Sequence, residues 1–233
     1  MPTLIQSGAL AGETNMALDA QMLEDALLSG DLALRTYAWA RPTLSLGYFQ
    51  KLEEVAASAE GVDVVRRFTG GGAILHQHEL TYSIAVPPQH ALAKLDVMDS
   101  YLELTRPLVF WLRGFGLQAG FRGGDEPARK TANCFAGAAC PDLVVGGKKI
   151  FGSAQRRKGG AILQHGSLLL DIDDALWRRV FGKQVGEGYT SIRGEGLDPG
   201  LFSLGGLATA YQQAWRVPFQ NADRAQTVKS AAA

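Results

Sequence analysis

The sequence predicts an α+β fold, a mixed and largely antiparallel sheet flanked by helices. Three observations lead there. Strand-like apolar runs come in clusters instead of alternating with helices, paired glycines divide residues 142–171 into a meander, and helical periodicity appears near both ends of the chain.

In chain order, Glu13 to Leu28 has helical spacing. Met16, Leu18, Met22, Leu23 and Leu27 recur on one side, and Thr14 or Asn15 can cap the start. Leu32 to Trp39 and Leu44 to Phe49 read as strands joined by a turn at Arg41-Pro42-Thr43. Val62 to Arg67 is a β-branched run that ends at Thr69-Gly70-Gly71-Gly72, and the strand-like stretch Ala73 to Val86 stops at Pro87-Pro88. Ser100 to Phe115 returns to helical spacing through Leu102, Leu108, Val109, Leu112 and Phe115. From Asp142 to Asp171, three apolar runs are broken by Gly146-Gly147 and Gly159-Gly160, which is the meander. Helices from about Asp173 to Phe181 and from Leu201 to Trp215 follow. Residues 1–228 are expected to form one domain and 229–233 a disordered tail.

Composition narrows the functional classes. The 233 residues are 46% hydrophobic and 20% charged, which is globular composition. Lys+Arg and Asp+Glu each number 23, so a nucleic-acid or polybasic membrane partner is not expected. The stretch Met1-Pro2-Thr3-Leu4-Ile5 lacks the basic and apolar regions of a signal peptide, which places the chain in the cytoplasm. Cys134 and Cys140 would both be reduced thiols there. Their C-x5-C spacing has no matching Cys or His pair, so no metal site is expected.

Four features could carry chemistry. In Arg66-Arg67-Phe68-Thr69-Gly70-Gly71-Gly72, glycine frees the backbone for φ > 0 and lets a ligand approach its N–H groups. A hairpin turn needs one or two glycines; three after two arginines favour a binding loop. The run is neither a Walker A loop nor a dinucleotide fingerprint. His76 and His78 alternate onto one face of an extended strand as half-exposed polar residues, and His165, in an apolar strand, reads as a buried structural histidine. In Gly146-Gly147-Lys148-Lys149, a turn delivers two lysines that face opposite ways; the small residues Gly152-Ser153-Ala154 leave room beside that strand. Cys134 is either a small buried hydrophobe or a nucleophile activated by a nearby cation, and spacing alone does not decide between them.

Taken together and in this order, the blocks resemble the lipoate/biotin protein ligase superfamily, closest to its cysteine-dependent octanoyltransferases. The likeness runs from about Asn15 to Asp171. It takes in Asn15-Met16-Ala17-Leu18-Asp19, Arg35-Thr36-Tyr37-Ala38-Trp39, Pro42 to Gln50, Arg66 to Gly72, His76, Glu79 to Ser83, Gly147 to Gln155 and Leu163 to Ser167. The resemblance implies the ligase catalytic-domain fold, with Cys134 as nucleophile and Lys149 as the lysine that contacts the acyl carbonyl. It further implies a substrate-binding set of Arg67, Gly70, Gly71, Gly72, His76, Tyr82, Gly152, Ser153, Ala154 and His165. After Cys134-Phe135 the family carries an acidic residue and Pro-Ser, whereas this chain reads Ala136-Gly137-Ala138-Ala139.

The implied reaction moves an octanoyl group from an acyl-carrier-protein thioester, through a Cys134 acyl-enzyme, to the lysine of a lipoyl domain or glycine-cleavage H protein, with no cofactor. One alternative is an ATP-dependent lipoate–protein ligase, which would need ATP and Mg and no cysteine. The other is a catalytically silent paralogue that binds acyl groups or carrier proteins. Many ligases add a small C-terminal domain. The stretch after Trp215 is too short for one, and the expectation is that this chain has none.

Overall fold

The computed structural model describes residues 2–55, 58–122, 142–182, 188–216 and 220–221. Cys134, Cys140 and the expected tail lie outside them. The main sheet has the spatial order β11 (Gln220–Asn221), β1 (Thr3–Leu10), β2 (Ala33–Trp39), β6 (Glu79–Val86), β10 (Ala161–Leu169), β9 (Lys148–Lys158), β8 (Leu143–Val145), β7 (Ala119–Phe121). β1 pairs in parallel with β2 and β11, and the remaining ladders are antiparallel. A second sheet sets β3 (Thr43–Leu46) between β4 (Asp63–Arg66) and β5 (Ile74–His76). The α+β expectation holds.

Alternation along the central strands divides the interior. In β6, Leu80, Tyr82, Ile84 and Val86 face the larger core, where Leu104, Leu108 and Leu112 of α4 (Val97–Gly114) and Tyr211 of α6 (Leu204–Trp215) cover them. Those three leucines are fully buried, each contributing about 1.5–3 kcal/mol. On the opposite face, Ala85 packs with Met22, Leu23 and Ala26 of α1 (Gly12–Ser29), which stops at Gly30 in the left-handed conformation that favours glycine. A third layer joins the small sheet to α5 (Asp174–Phe181), where Leu44, Leu46 and Leu75 meet Trp177 and Val180. Asp173 caps α5 by accepting from the Leu176 N–H. Among the described residues no helix is long and apolar enough to cross a membrane.

Some boundaries differ from expectation for tertiary reasons. β1 carries only a weak apolar pattern and is fixed by its parallel ladder with β2. The stretch Ala73 to Val86 divides at Gln77-His78, so β5 and β6 enter different sheets. The strand expected over Leu44 to Phe49 ends at Leu46, and Tyr48 and Phe49 turn out to solvent. Two short helices, α2 (Leu52–Val55) and α3 (Ala91–Lys94), occupy stretches for which no element was expected, and His90 accepts a hydrogen bond from Leu92 N to cap α3.

Candidate functional site

Three adjoining lobes open between the glycine loop and the β9–β10 hairpin. The polar mouth, about 250 Å³, lies among Gly70, Gly71, Gly72, Asp142, Lys149 and Ser153. Beneath the loop a narrow inner chamber is walled by Met16, Tyr37, Trp39, His76 and His165. On the other side of Lys149 an apolar chamber is lined by Leu169, Trp177, Phe181 and Tyr189. Ile74 lines all three, and Lys149 lines the mouth and the apolar chamber.

Lys149 owes its position to three local features. The β8–β9 ladder steps from Leu143↔Phe151 to Val144↔Lys149, leaving Ile150 as the extra residue of a bulge. Such a bulge re-aims the side chains next to it. Gly152 then leaves the space the lysine needs, because a Cβ there would stand 2.9 Å from Lys149 Cε and 3.1 Å from Nζ. The backbone is pinned as well: Lys149 N donates to Gly188 O at 2.8 Å and Thr190 N donates to Lys149 O at 2.9 Å. Nζ lies 2.7 Å from Asp142 Oδ1, both side chains being mostly buried. Lys148 faces solvent, as strand alternation predicts.

The glycine loop is held from below by Arg67. This guanidinium is buried at 3% exposure and directs all its N–H groups at the protein. Nη1 donates to Ser45 O and Ser45 Oγ, both at 2.7 Å; Nη2 donates to Gly72 O at 2.8 Å and Gly70 O at 3.2 Å; Nε reaches Thr69 Oγ1 at 3.4 Å. Gly71, at φ 91°, takes a conformation other residues resist. A Cβ on Gly47 would come within 2.0 Å of Gly71 O, so the neighbouring loop also packs backbone to backbone.

Two buried polar chains end on Arg67. In the first, Thr69 Oγ1 lies 2.8 Å from His165 Nε2, and His165 Nδ1 lies 2.8 Å from Asp19 Oδ2. Asp19 also accepts from Arg35 Nη1 and from the Tyr37 hydroxyl, each at 2.9 Å. In the second, Ser45 Oγ lies 2.6 Å from His76 Nε2, while His76 Nδ1 contacts Glu79 Oε1. Thr81 and Ser167 hydroxyls donate to the same Glu79 oxygen, and the Trp39 ring stacks on His76 at 3.8 Å. One set of proton positions satisfies both chains: each histidine donates from Nδ1 to its carboxylate and accepts at Nε2 from a hydroxyl, which accepts from Arg67. Burial pushes the His165 pKa below its usual value despite Asp19 beside it, so the ring stays neutral. Burial would raise the Asp19 carboxyl, but the His165 hydrogen bond and the Arg35 charge outweigh it and hold it low.

The mouth and inner chamber thus bring together Lys149, Arg67, Gly70, Gly71, Gly72, His76, Gly152, Ser153, Ala154 and His165. The structure gives three of the expected residues particular surroundings. Tyr82 faces the large core, fully buried with its ring 5.5 Å from Phe151 and its hydroxyl accepting from Gln164, and it lines none of the three lobes. Arg67 spends its donors on the protein and supports the loop from beneath. His76 is buried and His78 exposed, because the chain leaves the strand between them.

Sequence reasoning assigned no role to Asp142, Asp19, Arg35 or Glu79. A signal exists for Asp19 and Asn15: both sit on the buried, otherwise apolar face of α1, where a polar side chain needs a partner. Asp142 gives no such signal, because its contact with Lys149 depends on the bulge.

The model of the lipoyl protein ligase A/B catalytic domain matches residues 11–197. An octanoyltransferase, LipM, of Carboxydothermus hydrogenoformans is 42% identical over 176 residues, covering 73% of this chain and 65% of that protein. The match therefore spans just under two thirds of the relative's length. Among solved structures, one from T. acidophilum with bound lipoic acid superposes with a TM-score of 0.77 at 22% identity, covering 95% of this chain and 88% of that one. A lipoate-protein ligase A bound with ATP superposes at 0.71 and 23%, covering 95% and 87%. These two establish the fold.

Proposed function

The chain belongs to the lipoyl protein ligase A/B catalytic domain family, and from that premise we propose that it is an octanoyltransferase of lipoate biosynthesis. In this reading it takes an octanoyl group from an acyl-carrier-protein thioester and passes it, through a Cys134 acyl-enzyme, to a lysine of a lipoyl domain or glycine-cleavage H protein in the cytoplasm. The observation that carries it is the position of Lys149. Its ammonium stands at the mouth, held by Asp142 at 2.7 Å, with the glycine loop across from it and the inner chamber below.

Each feature takes one task. The Cys134 thiolate attacks the thioester carbonyl, forms a new thioester and releases the carrier thiol. The neutral amine of the acceptor lysine then attacks that carbonyl, forms the amide and expels Cys134, whose sulfur takes up the proton the amine gives up. A nearby ammonium favours the thiolate form of Cys134. Asp142 follows Cys134 by eight residues (142 − 134 = 8). Arg122 N donates to Asp142 O at 2.8 Å, and Asp142 in turn meets Lys149. Lys149 and the N–H groups of Gly71 and Gly72 stabilise the oxyanion, a contribution of roughly 3–4 kcal/mol. The inner chamber takes the tail, whose carbons gain about 0.8 kcal/mol per buried CH₂.

The similarity to octanoyltransferase LipM supports the transferase over the ATP-dependent ligase. Octanoylation of an apo-lipoyl domain, measured with octanoyl carrier protein and no ATP, tests the reading. Transfer without ATP is expected. Modification only with free acid and ATP would establish the ligase, and none under either condition the silent binder.

A further inference from the structure

Phe49 is 85% exposed and Tyr48 49%, and their rings meet edge to face with centroids 4.9 Å apart. Exposed aromatic pairs of this kind are uncommon on a surface without a partner. The loop that carries them is also rigid. Tyr48 N donates to Thr69 O at 2.9 Å, Gln50 N donates to Gly47 O at 3.0 Å, and the Gln50 side chain accepts from Gly47 N at 2.9 Å. Arg66 Nη1 donates to the carbonyls of Gly47, Tyr48 and Gln50. None of this serves the hydrophobic cores. It holds two aromatic rings in solvent, on a loop whose backbone at Tyr48 is bonded to Thr69, the residue that precedes Gly70 at the mouth.

The charged side chains that meet this knuckle are Arg66 and Arg156, and the exposed Glu53 and Glu54 follow in α2. Arg66 and Arg156 are exposed, the Arg156 guanidinium lies 5.9 Å from the Tyr48 ring centroid, and neither forms an ion pair among the described residues. Aromatic anchors beside two cations suit a protein partner with an acidic contact patch, with the aromatics supplying affinity and the charges the association rate. Reach selects which partner. A carrier protein presents its acyl group on a long flexible arm, so its body can rest at a distance. An acceptor lysine has only a four-carbon stem, so the acceptor's body must sit at the rim of the mouth.

We propose that the Tyr48–Phe49 knuckle, with Arg66 and Arg156 beside it, is the docking surface for the acceptor, a folded domain with an acidic contact patch that brings its target lysine to Lys149. This rests on the octanoyl-transfer reading and adds where the acceptor sits. The test compares two acceptors, the folded apo-lipoyl domain and a short peptide bearing the same lysine, in wild type, Phe49→Ser and Arg156→Glu. For Phe49→Ser, kcat/KM with the domain is expected to fall about 30-fold while the peptide value stays unchanged. Arg156→Glu is expected to slow association and flatten its salt dependence. Calorimetric titration with the apo-domain, without any donor, should lose binding in Phe49→Ser, and this readout stands even if no octanoyl group is moved. Equal losses with domain and peptide, or no loss with either, would overturn the proposal. So would a defect confined to the carrier-protein donor, or a dimer in sedimentation that Phe49→Ser dissociates.

Discussion

Adding one methyl group at Gly152 isolates what the position of Lys149 does. The new Cβ of Gly152→Ala would stand 2.9 Å from Lys149 Cε and 3.1 Å from Nζ, where carbon contacts settle near about 3.5–4.0 Å. The lysine end must therefore retreat by roughly 0.5–1 Å, lengthening its 2.7 Å contact with Asp142. The obstacle is the far end of a flexible side chain, so the fold should lose less than about 1 kcal/mol. A displacement of about 1 Å at a catalytic group costs on the order of 10²-fold in rate. The assay is kcat for octanoyl transfer together with thermal unfolding of the same sample. Gly166→Ala is the contrast. Its Cβ would meet the Phe151 ring at 2.3 Å and the Gly152 carbonyl at 2.8 Å, so stability should fall by about 1–3 kcal/mol. Gly152→Ala with wild-type kcat, or one as unstable as Gly166→Ala, would refute the role given to Lys149.

Lys149→Ala should cut kcat by at least about 10²-fold, as losing an oxyanion donor does, while Lys148→Ala changes little; equal losses in a transfer assay would reverse the facing of the strand. Arg67→Lys replaces a five-donor fork by a point charge and strands the buried Ser45 carbonyl and the part-buried carbonyls of Gly70 and Gly72, so urea unfolding should register about 1–3 kcal/mol of lost stability and the donor KM should rise. His165 also makes stability depend on pH. Its folded pKa is lowered by burial, so above about 6.5 the ring is neutral in both states and its full contribution is present. As pH falls below that value the unfolded chain takes up a proton that the folded one refuses, and stability drops. Melting temperature should decline from pH 7.5 to 5.5, and His165→Gln should flatten the decline; Asp19, held low, adds acid sensitivity only below about pH 4.

Local pattern was enough for the meander, because Gly146-Gly147 and Gly159-Gly160 mark its turns at positive φ, where glycine is favoured. It was enough for α1 and α4, whose apolar faces repeat over four or more turns. It failed for β1 and for β7, three residues long, whose stability comes from strands distant in sequence. At the site, Gly70 to Gly72 and Lys149 were legible because loop glycines and strand alternation are local properties. The bulge at Ile150, the Asp142 contact and the chains from Asp19 and Glu79 to Arg67 are not local: each joins residues from separate elements. Tyr82 illustrates the reverse failure. Its place within a run of recognisable residues suggested the cleft, and alternation along β6 turns it into the core.

The central claim is that a thiol carries the octanoyl group, and intact mass spectrometry tests it most directly. Incubated with octanoyl carrier protein and no ATP, the protein should gain one octanoyl group. Hydroxylamine should remove it, and Cys134→Ala should never acquire it while Cys140→Ala still does. An unmodified wild-type mass in a sample that nevertheless octanoylates the acceptor, or an adduct that survives Cys134→Ala, would contradict the account.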